Sequence, residues 1–161
     1  VVVAIVGDVL HSRVARSLVE ALLLVGAEPV LVAPPTLLPR GIEAMGCGVS
    51  RTIDAIAEAD VVYVLRMQSE RMEAAYVPSL REYTALYGVT PDRVRPGQVV
   101  MHPGPMNRGV EIDARVADSG ASLITTQVRA GLVVRMAVLY DLLTAPASGV
   151  EVPATPVLEV A

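Results

Sequence analysis

The sequence lacks several residue types, and each absence narrows the classes of function. It contains no lysine, so all 13 basic residues are arginines, and it has no tryptophan or phenylalanine, which leaves five tyrosines. Without lysine there is no Schiff-base or ammonium chemistry, whereas arginine suits two-pronged recognition of carboxylate or phosphate. With so few aromatic rings, the chain has little surface on which bases could stack. Its net charge of -4 leaves no basic stripe that could bind a phosphate backbone. We therefore expect no nucleic-acid partner.

Cysteine and long apolar runs are scarce as well. Cys47 is the single cysteine, which excludes an internal disulfide, fits a reducing compartment and leaves no Cys/His spacing suited to zinc. Between Gly46 and Gly48, at a turn into a short strand, Cys47 reads as a small buried residue rather than a nucleophile. No apolar run reaches the roughly 18 to 20 residues of a membrane span. We expect a soluble cytoplasmic domain without metal, cofactor or signal peptide, cut out of a longer polypeptide.

What the sequence does contain is an alternation of short apolar runs with amphipathic segments, which is typical of a parallel sheet wrapped by helices. The runs are β-branched and almost wholly apolar, as expected for strands covered on both faces. The predicted strands are Val1–Val6, Pro29–Ala33, Val61–Leu65, Gln98–His102 and Ser122–Thr125. The predicted helices are Ser12–Val25, a short helix capped by Thr36 that runs to Met45, Ile53–Glu58, Val110–Asp118 and Gln127–Leu143.

The predicted domain covers residues 1–144, and the proline-rich tail 145–161 reads as a mobile extension. The helix Gln127–Leu143 carries apolar residues on more than one face, although a helix that packs on one sheet needs a single apolar stripe. We therefore expect part of its apolar surface to be exposed in this chain. A dinucleotide site is disfavoured, since Gly7 is the one glycine after the first strand and Pro34-Pro35 stand where an acid is needed.

Polar side chains follow three of the predicted strands. Arg13 comes after the first strand, Arg66 and Gln68 after the third, and the loop His102-Pro103-Gly104-Pro105 after the fourth. The carboxyl ends of parallel strands meet at one edge of a sheet, where ligands bind. Prolines remove N–H donors and fix φ, so the carbonyl groups of this loop are left pointing outward. Two arginines and an amide beside them suit a small dianion.

Three nearby polar residues allow both structural and catalytic roles. His11 reads as a cap or packing residue, or as a catalytic acid, and the structural role is favoured. His102 is expected to orient its loop rather than to transfer protons. We expect Asp8 to tie its loop to helix N–H groups rather than to act as a general base.

Four segments in this order resemble the aspartate-binding half of the aspartate carbamoyltransferase family. They are Gly7-Asp8-Val9-Leu10-His11-Ser12-Arg13, Pro34-Pro35-Thr36-Leu37, Leu65-Arg66-Met67-Gln68-Ser69-Glu70-Arg71 and His102-Pro103-Gly104-Pro105. The resemblance runs from residue 1 to about residue 143. The related ornithine carbamoyltransferases carry a cysteine in the last segment, which this chain lacks. The resemblance implies an α/β, three-layer Rossmann-like parallel sheet with helices on both faces.

The resemblance also implies a role for each site residue. Arg13 would bind mainly the α-carboxylate of L-aspartate, Arg66 and Gln68 the β-carboxylate, and Arg71 would help lock the closed form. The backbone carbonyls of Gly104 and Pro105 would face the attacking amine and the carbamoyl group.

The implied reaction transfers a carbamoyl group from carbamoyl phosphate to L-aspartate, a step of de novo pyrimidine biosynthesis. The motifs that bind carbamoyl phosphate in the family, Ser-x-Arg-Thr-Arg and His-Pro-Thr-Gln, are absent from these residues. The chain alone is therefore expected to be inactive. Implied partners are a missing N-terminal domain, further copies in a homotrimer, and regulatory or dihydroorotase subunits. The alternatives are a noncatalytic homologous domain that serves as a structural partner and a carbamoyltransferase for another amino acid.

Overall fold

The computed structural model describes residues 1–68 and 76–144, and the chain forms two compact units, residues 1–129 and 130–161. In the described part of the first unit, five parallel strands form one sheet with the order β3-β2-β1-β4-β5. Their bounds are β1 (Val2–Val6), β2 (Glu28–Val32), β3 (Gly48–Ser50), β4 (Val61–Val64) and β5 (Val99–Met101). The central strand β1 pairs Val3 with Pro29 on one side and with Val61 on the other.

Both faces of the sheet are buried, because successive side chains of an apolar strand point to opposite faces. On one face, Val3 and Ile5 of β1 pack with α1 (Arg13–Leu24) and α2 (Leu80–Tyr87). On the other face, Ala4 and Val6 pack with the 3-10 turn Ile53–Glu58, α3 (Ala114–Ala117) and the start of α4 (Ile124–Thr144). The expected three-layer parallel fold with helices on both faces is confirmed.

The helix after β1 begins where the sequence predicted it. Ser12 is the N-cap of α1, and its hydroxyl oxygen accepts hydrogen bonds from the backbone N–H groups of Val14 and Ala15, each at 3.2 Å. A serine in this position satisfies N–H groups that have no partner inside the helix. The cap therefore fixes where α1 starts and places Arg13 in its first turn.

One predicted strand and two predicted helices are wrong in extent or type. The run Ser122–Thr125 is not a strand, since Ser122 makes a single bridge to Val100 and α4 already begins at Ile124. The helix predicted over Val110–Asp118 covers only Ala114–Ala117 in the structure. Asp113 is its N-cap, and the Asp113 carboxylate accepts a hydrogen bond from the backbone N–H of Arg115, so the helix starts there.

The helix predicted from Thr36 to Met45 is two separate 3-10 turns, Pro35–Leu37 and Ile42–Met45. Pro39 and Gly41 lie between them, and proline and glycine both disfavour a continuous helix. Thr36 does not cap a helix. Its hydroxyl donates to the backbone carbonyl of Tyr76 instead.

The prediction missed α2, although the sequence carried its start signal. Ser79 caps the helix by accepting from the N–H of Glu82 at 3.0 Å. A serine followed three residues later by glutamate is the pattern of a capping box. This helix brings Tyr83 and Tyr87 into the core on the α1 face of the sheet.

The helix predicted over Gln127–Leu143 is confirmed as α4, Ile124–Thr144. From Ala130 onward it forms the described part of the second unit, and there Leu132, Met136 and Tyr140 are 58%, 62% and 67% exposed. The expected exposure of its apolar surface is therefore found. No helix among residues 1–68 and 76–144 is long and apolar enough to cross a membrane. The predicted tail 145–161 lies outside the described residues.

Candidate functional site

A crevice of about 250 Å³ lies where the loops after β1, β4 and β5 meet, at the carboxyl edge of the sheet. It brings together four of the predicted site residues, Arg13, Arg66, Gln68 and Gly104. Ser12, Val14 and Pro103 complete its lining. Pro105 is exposed and is not part of the lining, and Arg71 lies outside the described residues.

The segment after β4 presents two polar side chains to the crevice while the residue between them anchors the segment. Met67 is 1% exposed and packs in the core on the α1 face, whereas Arg66 and Gln68 on either side line the crevice. Burial of Met67 therefore fixes the direction in which its two neighbours point.

A buried carboxylate joins the loop after β1 to this segment. The Asp8 side chain is fully buried, and its Oδ2 accepts from the backbone N–H of Gln68 at 3.2 Å. Its Oδ1 accepts from the backbone N–H of His11 at 3.1 Å and lies 2.8 Å from His11 Nδ1. Asp8 thus ties two loops together, and the prediction that it binds helix N–H groups is wrong, because both N–H groups belong to loop residues. The His11 ring packs edge-on against Tyr76, which fits the structural role.

His102 orients the proline loop. Its ring is fully buried, its Nδ1 accepts from the backbone N–H of Gly104 at 2.9 Å, and its Nε2 lies 3.3 Å from Glu111 Oε1. Because Nδ1 accepts, the ring proton is assigned to Nε2, where it faces the carboxylate. The Gly104–Pro105 peptide is cis, and Gly104 has a φ of +64°, which favours glycine.

Two residues that sequence reasoning missed hold the loop after β5 against the loop after β4. Glu111 is fully buried, and its Oε1 also accepts from the backbone N–H of Asn107 at 2.5 Å. The Glu111 Oε2 lies 3.5 Å from the backbone nitrogen of Met67. The backbone carbonyl of Met67 accepts a hydrogen bond from Asn107 Nδ2 at 3.1 Å. The available signal was a glutamate and an asparagine just beyond the proline loop.

Gln127, near the start of α4, supports the same edge of the sheet. Its Oε1 accepts from the backbone N–H of His102 at 3.1 Å, and its Nε2 donates to the Tyr63 hydroxyl at 2.9 Å. Burial raises the pKa of Tyr63, and the hydrogen bond from Gln127 opposes that rise only in part. Tyr63 is therefore a neutral phenol at physiological pH.

Tyr83 of α2 is a buried tyrosine, and its hydroxyl would lie 3.2 Å from a Cβ added at Gly7. Its hydroxyl has no hydrogen-bond partner within residues 1–68 and 76–144. Burial, followed by the negative charges of Glu111 and Asp8, raises the pKa of Tyr83 well above its usual range. The Tyr83 hydroxyl is therefore neutral.

Other parts of the described surface offer less chemistry. A larger cavity of about 380 Å³ lies beside α1 and is lined mostly by apolar residues such as Val3, Leu18, Leu22 and Met101. Among the described residues, no group of three or more His, Cys, Asp or Glu side chains could hold a metal ion. The crevice differs from this cavity in placing charged side chains at the carboxyl ends of parallel strands, where ligands bind in α/β sheets.

Comparison with known proteins agrees with this geometry. The family model of the aspartate/ornithine carbamoyltransferase Asp/Orn binding domain matches residues 1–142. The chain is 57% identical over 155 residues to the aspartate carbamoyltransferase catalytic subunit of Rhizorhabdus wittichii, covering 93% of this chain and 49% of that protein. It thus spans about half the length of the curated relatives it matches.

Solved structures show the same fold. The catalytic subunit of M. jannaschii aspartate transcarbamoylase matches with a TM-score of 0.72 and 30% identity, over 88% of this chain and 50% of that one. The Trypanosoma cruzi aspartate transcarbamoylase, in complex with N-(phosphonacetyl)-L-aspartic acid, matches with a TM-score of 0.69 and 28% identity, over 87% and 48%. The chain therefore belongs to the aspartate/ornithine carbamoyltransferase family, as an Asp/Orn binding domain.

Proposed function

We propose that this chain is the aspartate-binding half of an aspartate carbamoyltransferase. The complete enzyme would transfer a carbamoyl group from carbamoyl phosphate to L-aspartate and supply N-carbamoyl-L-aspartate for de novo pyrimidine biosynthesis. The observation that carries the proposal is the single crevice lined by Arg13, Arg66, Gln68 and Gly104. Two guanidinium groups and an amide match a dicarboxylate, because guanidinium forms strong, directional hydrogen bonds to carboxylates.

The charge of the crevice favours aspartate over ornithine. The side chain of ornithine ends in an ammonium group, which would lie beside the cationic Arg66 and be repelled. Aspartate instead places a second carboxylate there. The relatives at 57% identity, which include those of Rhizorhabdus wittichii and Acidothermus cellulolyticus, are named aspartate carbamoyltransferases.

Each predicted site residue has an assigned role in this proposal. Arg13, at the start of α1, binds mainly the α-carboxylate, while Arg66 and Gln68 bind the β-carboxylate. The carbonyls of Gly104 and Pro105 face the attacking amine and the carbamoyl group, and Arg71 helps lock the closed form.

The reaction needs no covalent enzyme intermediate. The aspartate amine attacks the carbamoyl carbon, a C–N bond forms, the bond from carbon to the phosphate oxygen breaks, and the amine loses a proton. Holding the two reactants in line supplies much of the rate acceleration in such a reaction. The crevice performs this task for aspartate, and stabilisation of the developing oxyanion falls to the half that binds carbamoyl phosphate.

The proposal requires a second domain. We propose that this domain binds carbamoyl phosphate, that complete chains form a homotrimer, and that regulatory or dihydroorotase subunits are its further partners. We also propose that α4 packs toward the second domain. The exposed Leu132, Met136 and Tyr140 support that placement, since a helix exposing so much apolar surface calls for a partner.

A product assay tests the proposal. The complete enzyme and the 161-residue chain are each supplied with carbamoyl phosphate and either L-aspartate or L-ornithine, and the carbamoylated product is measured. We expect N-carbamoyl-L-aspartate from the complete enzyme alone. Turnover by the isolated chain, or a preference for ornithine, contradicts the proposal. No turnover with either amino acid points to a noncatalytic domain.

A further inference from the structure

Glu111 occupies a position that the substrate contacts do not explain. Its carboxylate is fully buried, and three groups donate hydrogen bonds toward it. A buried carboxylate is costly unless hydrogen bonds satisfy it, so these donors are what keep Glu111 in place. The donors belong to two different loops, and both loops line the crevice.

One set of contacts reaches the loop after β4. The Glu111 Oε2 faces the N–H of Met67, and Asn107 Nδ2 donates to the carbonyl of the same residue. Both backbone polar groups of Met67 are therefore held from the loop after β5. Since Met67 lies between Arg66 and Gln68, these contacts fix the peptide that carries both side chains to the crevice.

The other set of contacts reaches the proline loop. The Glu111 Oε1 faces His102 Nε2, and the opposite ring nitrogen accepts from the N–H of Gly104. A carboxylate on one side of an imidazole fixes both its tautomer and its orientation. Glu111 thus acts through His102 on the peptide of Gly104, which lines the crevice.

We infer that Glu111 is a positioning residue that sets the distance between the Arg66–Gln68 segment and the Gly104 loop, so that aspartate meets its ligands already in place. The inference rests on the proposed function. Ligands held by a second layer of hydrogen bonds bind without the cost of being ordered first. Loss of the Glu111 contacts should therefore weaken aspartate binding more than carbamoyl phosphate binding.

The variant Glu111→Gln tests this in the complete enzyme. A glutamine side chain has one acceptor oxygen where glutamate has two. Either the Met67 N–H, which faces Oε2, or the Asn107 N–H and His102, which face Oε1, therefore loses its acceptor. We expect the KM for aspartate to rise about tenfold, the scale of one lost hydrogen bond to a charged group. The KM for carbamoyl phosphate should stay within about twofold on the same reasoning.

A second variant and a matched control separate positioning from general destabilisation. Asn107→Ala removes the donor to the Met67 carbonyl and leaves His102 untouched, so it should also raise the KM for aspartate. Gln98→Leu removes three hydrogen bonds of another buried polar side chain, to Ile56, Ala59 and Arg95, at the opposite end of β5. It should lower the melting temperature without moving either KM.

Amide hydrogen exchange gives a readout that does not depend on turnover. Glu111→Gln should speed exchange at Met67 and Gly104, whereas Gln98→Leu should not. An unchanged KM for aspartate in an active, folded Glu111→Gln enzyme, or equal increases for both substrates, overturns the positioning role. If the wild-type enzyme does not carbamoylate aspartate, the proposed function fails. The positioning role is tested separately by exchange, and unchanged exchange at the Met67 and Gly104 amides of Glu111→Gln overturns it.

Discussion

Replacing Gly7 by alanine tests how the turn after β1 supports the crevice. Gly7 has a φ of +126°, a conformation that side-chain-bearing residues rarely adopt. A Cβ at this position would lie 2.8 Å from the backbone oxygen of Leu65 and 3.2 Å from the Tyr83 hydroxyl. Leu65 directly precedes Arg66, so the methyl group would press on the segment that carries Arg66 and Gln68 to the crevice.

The cost of the methyl group has two parts. The backbone conformation contributes about 1 to 3 kcal/mol, and the close contact with a backbone oxygen adds about 1 to 3 kcal/mol as overpacking. We expect Gly7→Ala to lower the free energy of unfolding by about 2 to 6 kcal/mol, a large share of the roughly 5 to 15 kcal/mol of a typical domain.

Urea unfolding followed by circular dichroism measures this loss in the 161-residue chain. The matched control is Gly26→Ala, where φ is +74° but no atom lies within 4 Å of the added Cβ. The control should cost only about 1 to 2 kcal/mol, the price of the left-handed backbone. If Gly7→Ala is no more destabilising than Gly26→Ala, the close contact with Leu65 contributes nothing and the reasoning fails.

Two further predictions concern titratable groups. Hydrogen bonds from the Arg115 side chain, and then from its backbone, lower the pKa of Asp113 to about 2. Its folded pKa thus lies below the unfolded value of about 4, so Asp113 stabilises the fold above pH 4 and the contribution fades toward pH 2. In pH-dependent unfolding, Asp113→Asn should be less stable than wild type at pH 7 and should approach wild type as the pH falls below about 2, and a gap that persists there contradicts the assignment. Burial raises the pKa of the Cys47 thiol, so iodoacetamide should modify it slowly in the folded chain at pH 7.5 and rapidly in urea; equal rates would show that the thiol is accessible.

The sequence predicted the part of the site that follows from strand order. Arg13, Arg66, Gln68 and Gly104 each follow an apolar strand, and the carboxyl ends of parallel strands share one edge. That rule needs only the strands and their direction. It therefore located the crevice without any knowledge of side-chain conformations.

The supporting contacts could not be predicted in the same way. Glu111 reaches Met67 across 44 residues of sequence, and Gln127 reaches Tyr63 across 64. Such contacts depend on how loops fold back over the sheet, which periodicity does not report. Asp8 was more accessible to sequence reasoning because its partner His11 lies three residues away.

The errors in secondary structure have a local origin. Ser122–Thr125 is short and β-branched, so pattern alone favours a strand, yet Ile124 packs into the core as the first residue of α4. Tertiary packing overrides propensity in runs of this length. The Ser79 capping signal of α2, by contrast, was readable and was missed.

Binding of the aspartate carboxylates in the crevice is tested by the KM for aspartate of the Arg66→Ala variant of the complete enzyme. The matched control is Arg16→Ala, which removes the same charge from an exposed position on α1 outside the crevice. A lost charge-assisted contact of about 1.5 to 3 kcal/mol corresponds to a rise of roughly 10- to 100-fold. We predict this rise for Arg66→Ala, with the KM for carbamoyl phosphate and the Arg16→Ala control within about twofold of wild type on the same scale. An unchanged KM for aspartate in Arg66→Ala, or an equal rise in both variants, would contradict the account.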